Sequence, residues 1–582
     1  MKILLATLHA KYVHNSLALP YLAAACQGLD GVTTVIREFT VNESSDHVLH
    51  AMVNEEADVV AFSCYIWNIG ETLRIAADLK QIRPETFIIL GGPEASFGVF
   101  ELMTQHPAVD CVVRGEGEET FRELIAYLAR PDGDWDLIKH ISAGITCRVH
   151  DEIIAAPERP VIKNPDSIPS PFSAGLADLS KPLVYYETSR GCPFSCAFCM
   201  SSLDREVRSF SMERIRKDLG ILMARGAQTV KLVDRTFNYD AGRANWIWEF
   251  ILKENRTGRF HFEIAADLLT DENFRLLQQV PPGLFRFEIG VQSGEDETLA
   301  RVGRKTDMEK LFANVRRLRE ETGVLIHLDL VAGLPGEDFP GFLRSLQQLL
   351  DVFHNGDHRR GEECHIQVEL LKVLKGSPMR KIAAEENYAF SGTPPYRVLR
   401  TPWLSYAEIC RIDSISRLID LVFNSGRFRT IIAQTATTHP LSEFFSSAAE
   451  YWNIAGLPSN ISQSALFDAL WRFAVDFLPE PELEGFRDAL CFDFCLAEYP
   501  STARLPVFFT GKGDVKKGNI KEDTAAYIQK LEIPSGSRVR CFRHTFSRDY
   551  MGTPRGNGPV DLLFVYVSAP GRGLRVEVVK PE

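Results

Sequence analysis

Residues 189–200 read SRGCPFSCAFCM and place three thiols, Cys192, Cys196 and Cys199, in a C-x3-C-x2-C spacing. A structural zinc site takes four Cys or His ligands, usually as paired knuckles. No fourth Cys or His stands close by, and the next candidate is His261. A disulfide framework suits small secreted domains. This chain has 582 residues and twelve cysteines, and its opening MKILLATLHAKYVH reads as a buried first strand rather than a signal peptide. What remains is an iron–sulfur cluster held by three thiolates, with one iron left open.

A site of that kind needs a frame, and three regions offer one. Up to about residue 140, the apolar runs KILLATL, VTTVIREF, DVVAFSCYIW, FIILGG and VDCVV alternate with helical stretches. Continuous apolar strands separated by helices predict a doubly wound parallel sheet, with ligands at the carboxyl ends of its strands. Residues 141–180 read as a linker, because APERPVIKNPDSIPSPF holds five prolines. From 181 to 395 the alternation returns, with strands expected at LVYYETS, TVKLVD, FHFEIAA, LFRFEIGVQ, VLIHLDLVAGL and CHIQVELLKVL. Six strand–helix units predict a partial (β/α)6 barrel, whose chemistry lies on the loops after the strands. The three cysteines fall in the first of those loops. Residues 396–582 read as a mixed α+β domain of helices followed by the strands RVRCF, DLLFVYV and LRVEVVK.

Composition narrows the class. Hydrophobic content is 45% and charged content 24%, ordinary for a folded chain of three or four domains. A net charge of −12 argues against a nucleic-acid coat or a membrane-surface binder. No apolar run reaches the roughly 18 residues of a membrane span, and the cysteine usage fits a reducing cytoplasm.

With Cys192, Cys196, Cys199 and Phe198 in this register, and with EIGVQS and DLVAGLPGE at later strand ends, the chain resembles the radical S-adenosylmethionine (SAM) superfamily. The resemblance implies a [4Fe-4S] cluster on the three cysteines and SAM on the open iron. It implies SAM contacts from Phe198, from Asp234 in KLVDRTFN at the end of the second barrel strand, and from Glu288 and Gln292 in FEIGVQS. KLVDRTFN lacks the Gly-Gly-Glu common at that place. Asp234 has a second reading as a helix cap or a partner of Arg235, and Phe198 one as a loop plug.

The first region resembles the cobalamin-binding domain that precedes the barrel in one large subgroup, through FSCYIW, LGGPEAS and VRGEGEET. The resemblance places Ser63, Gly91, Gly92, Gly115 and Gly117 around a nucleotide tail. Each motif alone also suits a tight turn in any doubly wound fold. His14 stands where a cobalt-ligating histidine would, but its loop reads KYVHNSLAL, with Tyr12 and Leu17 in place of the Asp and Gly of Asp-x-His-x-x-Gly. A ligating imidazole needs a partner on its other nitrogen. His14 therefore has three readings: a ligand, a non-ligating contact, or a loop histidine, with the second favoured.

Together these resemblances imply a cobalamin-dependent radical SAM enzyme that methylates an unactivated centre of a small molecule. They also imply an electron donor such as flavodoxin or ferredoxin, and a cytoplasmic setting. Cyclisation or rearrangement with the same cofactors is the alternative. A methylthiotransferase-like RNA enzyme is a third reading, and a cobalamin sensor or carrier the non-enzyme one. The acidic charge opposes the former and the three cysteines the latter. The catalytic residues stay unassigned. CFDFC, Cys491–Cys495, reads as two buried thiols, and the basic RVRCFRHTFSRDYMGTPRG as a solvated loop.

Overall fold

The computed structural model describes residues 1–130, 143–149, 152–354, 364–458, 460–500, 505–509, 533–534, 536–551, 557–569 and 573–580. They form two compact units: Met1–Asp338 with Leu370–Ser405, and Phe339–Glu369 with Tyr406–Glu582.

The first unit opens with β1 (Lys2–His9), α1 (Ala18–Ala25), β2 (Thr33–Thr40), α2 (Ser45–Val53), β3 (Val59–Ser63), α3 (Ile69–Ile82), β4 (Phe87–Gly91), α4 (Val99–Gln105), β5 (Cys111–Val113) and α5 (Gly117–Leu128). The five strands are parallel, in the order β2-β1-β3-β4-β5. β1 is apolar on both faces because both faces are covered. Leu4, Ala6 and Leu8 pack in one core with Val48, Met52, Ile75 and Leu79. Ile3 and Leu5 pack in the other with Leu19, Ala23, Phe121 and Leu124. Strand order reverses between β1 and β3, and there the loops after the two strands part and leave a crevice.

The sheet continues through β6 (Ile145–Val149) and β7 (Glu152–Ala155), both antiparallel. These two strands lie in the segment read as a linker. Its prolines begin only at Pro157, and Ile145, Cys147 and Val149 ahead of them alternate and are buried.

In the same unit follow β8 (Leu183–Tyr186), the short antiparallel pair β9 (Ser189–Arg190) and β10 (Arg208–Ser209), then β11 (Thr229–Leu232), β12 (Arg259–Ile264), β13 (Phe285–Gln292) and β14 (Leu325–Ala332). The barrel strands are parallel, in the order β14-β13-β12-β11-β8. The sixth expected strand also forms, as β15 (Cys364–Leu370). One side of β12 and β13 carries Phe260, Phe262, Phe285 and Phe287, all buried. Trp248 of the helix Ala241–Glu254 packs against Phe262 and Phe287. The alternate positions, among them His261, Glu263, Glu288 and Gln292, are only partly buried and face the barrel interior. The interior is therefore polar.

The second unit contains the helices Phe339–His354, Tyr406–Leu418, Arg429–Thr435, Leu441–Ile454, Gln463–Phe477 and Glu480–Ala497, then an antiparallel sheet of Arg538–Arg548, Asn557–Ser568 and Leu574–Val579. Phe444, Phe473 and Phe486 pack in its helical core. Cys491 and Cys495 are two buried thiols on one helix, and the Cys495 carbonyl accepts the Tyr566 hydroxyl at 2.7 Å. The basic stretch read as a loop is for the most part the strand Arg538–Arg548, with Arg543 paired to Asp561 at 2.8 Å. Its residues 552–556 lie outside the described residues.

Candidate active site

The loop after β8 is held at both ends. The carboxylate of Asp234, just past β11, is fully buried. It accepts the Thr188 amide at 2.9 Å and the hydroxyls of Thr188 and Ser189 at 2.5 Å. Farther along, the Cys192 amide donates to the Asp204 carbonyl and the Ala197 amide to the Val302 carbonyl. So anchored, the loop turns Cys192, Cys196 and Cys199 onto the wall of one cavity, with Phe194 and Phe198 beside them. Cys192 and Cys196 are buried, and Cys199 is partly exposed. No fourth Cys and no His joins them on that wall among the described residues.

Two further groups touch the thiols. Thr236 Oγ1 is 3.5 Å from Cys192 Sγ, and the Arg304 guanidinium is 3.9 Å from Cys196 Sγ. Burial raises the Cys196 thiol above its ordinary range, and Arg304 opposes that by favouring the thiolate. Three converging thiols with a cation beside them fit a cluster with one open iron.

Opposite the cysteines the cavity is lined by Glu263, Glu288, Gln292 and Asp329. Gln292 reaches it through a bulge: the register of β13 against β14 shifts between Gly290 and Gln292, and Gln292 has φ +74°. A Cβ at Gly290 would lie 2.1 Å from Gln292 Nε2, so glycine is what lets that side chain fold back. Glu288 has partners already. Lys231 Nζ is 2.7 Å and His261 Nε2 2.9 Å from its Oε2, and together they hold the carboxyl well below the usual carboxylate range. Asp234 does not line the cavity; its two oxygens belong to the loop anchor.

A second cavity lies at the carboxyl ends of β3, β4 and β5. Ser63, Gly91, Gly92, Gly115 and Gly117 all line it, with Tyr65, Ile89, Val113 and Phe121. A Cβ at Gly92 would sit 2.6 Å from the Cys64 carbonyl oxygen, and φ there is +96°. Glycine at 92 is thus required by a close backbone approach. The lining is mostly apolar, and small residues keep the strand ends open, which suits the nucleotide tail of a cobalamin.

His14 lines neither cavity. Its Nδ1 is 2.7 Å from the Tyr185 hydroxyl on β8, and the two rings stack at 5.9 Å. Asn15 accepts the Tyr185 amide at 3.1 Å, and Lys181 covers the Tyr12 ring at 3.8 Å. The loop after β1 is therefore fastened to the first barrel strand. Burial lowers the His14 imidazole's proton affinity, as do His9, Lys11 and Lys231.

Sequence reasoning missed Thr236, Arg304, Tyr185, Glu263 and Asp329. For the carboxylates a signal was present: HFE in β12 and HLD in β14 break the all-apolar pattern of a doubly covered strand. Arg304, beyond the helix Asp296–Arg301, carries none.

Residues 3–125 match the B12-binding domain family and residues 186–349 the radical SAM superfamily. The chain thus carries a B12-binding domain followed by a radical SAM domain, and the cofactors those two domains take are a [4Fe-4S] cluster, SAM and cobalamin. Residues 384–538 match a third family, a protein of unknown function, DUF4080. The chain is 25% identical over 365 residues to the cobalamin-dependent radical SAM methyltransferase TokK of Streptomyces tokunonensis, covering 60% of this chain and 51% of TokK. It is 26% identical over 407 residues to the anaerobic magnesium-protoporphyrin IX monomethyl ester cyclase of Synechocystis, covering 64% of this chain and 77% of the cyclase. The chain spans about half the length of TokK. In fold it is similar to the cobalamin-dependent SAM radical enzyme OxsB, with TM-score 0.57 and 17% identity over 84% of this chain and 78% of OxsB. No helix among the described residues is long and apolar enough to cross a membrane.

Proposed function

We propose that the protein is a cobalamin-dependent radical SAM methyltransferase acting on an unactivated centre of a small molecule. One observation carries the reading: a wall of three thiols and a separate apolar cavity at the carboxyl ends of β3, β4 and β5 lie in one compact unit. When bound, the cluster and SAM supply one-electron cleavage of the sulfonium, and the cobalamin supplies a transferable methyl group.

The chain's own residues do the rest. Cys192, Cys196 and Cys199 hold the cluster, and Arg304 balances its negative charge. Phe198 and Gln292 border the space beside it, where they would hold SAM, with Glu288 as part of the cavity's polar wall. Ser63, Gly91, Gly115 and Gly117 leave room for the nucleotide tail, and Gly92 fixes the turn. The two phenylalanines beside the thiols restrict water near the reacting atoms. A one-electron donor of the flavodoxin or ferredoxin class would reduce the cluster, and the setting would be cytoplasmic.

The test uses anaerobically reconstituted, cobalamin-loaded protein with SAM carrying a deuterated methyl group, a strong reductant and a small-molecule extract. Label in an extract component, with deoxyadenosine and S-adenosylhomocysteine formed together, is the expected result. Deoxyadenosine with an altered but unlabelled component would replace methylation by cyclisation or rearrangement, the reading that likeness to the cyclase favours. Replacing Cys192, Cys196 and Cys199 by Ala should abolish the cluster's absorbance and all SAM cleavage.

A further inference from the structure

The polar interior of the barrel holds a second group of metal-competent side chains that the cysteine site does not use. β12, β13 and β14 are adjacent and parallel, and each turns alternate residues inward. Glu288 is the register partner of His327 on one side and of Glu263 on the other, and His261 stands two residues before Glu263. One nitrogen each of His261 and His327 and one carboxylate oxygen of Glu288 thereby lie within 4.8 Å of one another.

We propose that His261, Glu288 and His327 form a binding site for a divalent transition-metal ion of the Fe2+ or Zn2+ class, distinct from the iron–sulfur cluster. Two imidazoles and one carboxylate on one side of an ion, with the remaining positions open, are the donor set of non-haem ferrous centres. The spacing is right. Ligands about 2.1 Å from a common ion stand about 3 Å apart when adjacent, and His261 Nε2 is 2.9 Å from Glu288 Oε2. That nitrogen is buried, and Glu288 is the carboxylate it closes on in the absence of an ion.

The surrounding charge also suits a cation. Glu263, Glu288 and Asp329 line the adjoining cavity. Lys231 answers them from within the barrel, 2.7 Å from Glu288 and 3.5 Å from Glu263. Asp329 Oδ1, buried and 3.1 Å from His327 Nε2, offers a further oxygen. Lys231 is compatible with the ion, because a coordinating carboxylate oxygen keeps a second lone pair for a hydrogen bond. Glu288 and Asp329 border the cavity, so an open position on that side would take an oxygen or nitrogen donor of a bound small molecule.

The experiment is a metal count on the full-length protein, reconstituted anaerobically with 57Fe and sulfide, desalted, and read by Mössbauer spectroscopy and elemental analysis. The expected result is one equivalent of high-spin ferrous iron, or of zinc, beyond the cluster. It should be lost in His261→Ala and in His327→Asn while the cluster's visible absorbance stays intact. Glu288→Gln is the second line, since it keeps the shape of the side chain and removes its charge. An extra equivalent that survives in all three variants is adventitious and overturns the proposal. So does its absence from the wild-type protein, in which case Lys231 and His261 close on Glu288 as a metal-free network.

Discussion

The Tyr185 hydroxyl lies 2.7 Å from His14 Nδ1 and ties the loop after β1 to the first strand of the barrel. Burial raises the pKa of the phenol and lowers that of the imidazole, and with the phenol as donor Nδ1 is its acceptor. In that arrangement Nε2 carries the proton and has no lone pair for cobalt. The partner that a ligating histidine takes from Asp is here a phenol, and it favours the opposite tautomer. Electron paramagnetic resonance of bound cob(II)alamin should therefore show no protein nitrogen splitting, and His14→Ala should leave that spectrum unchanged. Splitting that disappears in His14→Ala would assign the imidazole to cobalt.

Arg190 stands two residues before Cys192 and meets three carboxylates: Glu118 at 2.5 Å, Glu187 at 2.7 Å and Glu116 at 3.2 Å. Glu116 and Glu118 flank Gly117 of the VRGEGEET motif, so one guanidinium joins the wall of the second cavity to the cysteine loop. Glu187 is partly buried, with 12% of its side chain exposed, and that burial raises its carboxyl, with Arg190 opposing. Removing the cation strands the carboxylates. Arg190→Met should cost about 3–5 kcal/mol, the usual result of breaking one side of a buried pair, and Arg190→Met/Glu187→Gln should recover part of it. Chemical denaturation of the three proteins decides this; equal stability of wild type and Arg190→Met would reject it.

The strands, the cysteine site and the lining of the second cavity were legible because each rests on local pattern. KILLATL and FIILGG are apolar without interruption, as doubly covered strands must be, and three cysteines seven residues apart end to end can meet only in a loop. The misread segments fail for equally local reasons. Five prolines from Pro157 onward hide the strands Ile145–Val149 and Glu152–Ala155, whose apolar positions alternate over only a few residues. Asp234 follows a barrel strand, where a ligand contact or a structural partner is expected, and the structure shows the second. Its neighbours Thr188 and Ser189, which consume its oxygens, are 45–46 residues away in the chain. The Tyr185–His14 contact spans 171 residues and has no signature in either segment.

Gly92→Ala tests the second cavity. The added Cβ would meet the Cys64 carbonyl oxygen at 2.6 Å, on a backbone with φ +96° that L residues rarely adopt. The loop after β4 must shift, and with it the cavity floor. Cobalamin retained through gel filtration should fall at least tenfold, with a stability loss of about 1–3 kcal/mol. Gly115→Ala separates crowding from strain: φ there is +74°, but a Cβ would meet nothing within 4 Å. Equal retention in the two variants would mean that backbone strain, not the clash, matters.

In the second unit, Asp493 is fully enclosed, and its carboxylate accepts the backbone N–H groups of Thr430, at 3.1 Å, and Ile431, at 3.0 Å, at the start of the helix Arg429–Thr435. Burial pushes its pKa up from 3.8 to about 7, against the pull of those hydrogen bonds. The folded state thus binds this proton more tightly than the unfolded one. Its contribution to stability is complete below the unfolded pKa and is lost as pH rises through about 7. Asp493→Asn keeps an acceptor for the amides and cannot ionise. Relative to that variant, the wild-type protein should lose at least about 1 kcal/mol between pH 5 and pH 8, each pKa unit of difference being worth about 1.4 kcal/mol. Urea denaturation at the two pH values measures it. A difference between the two proteins that does not change with pH would mean that Asp493 stays ionised throughout, held by the helix amides more strongly than burial opposes them.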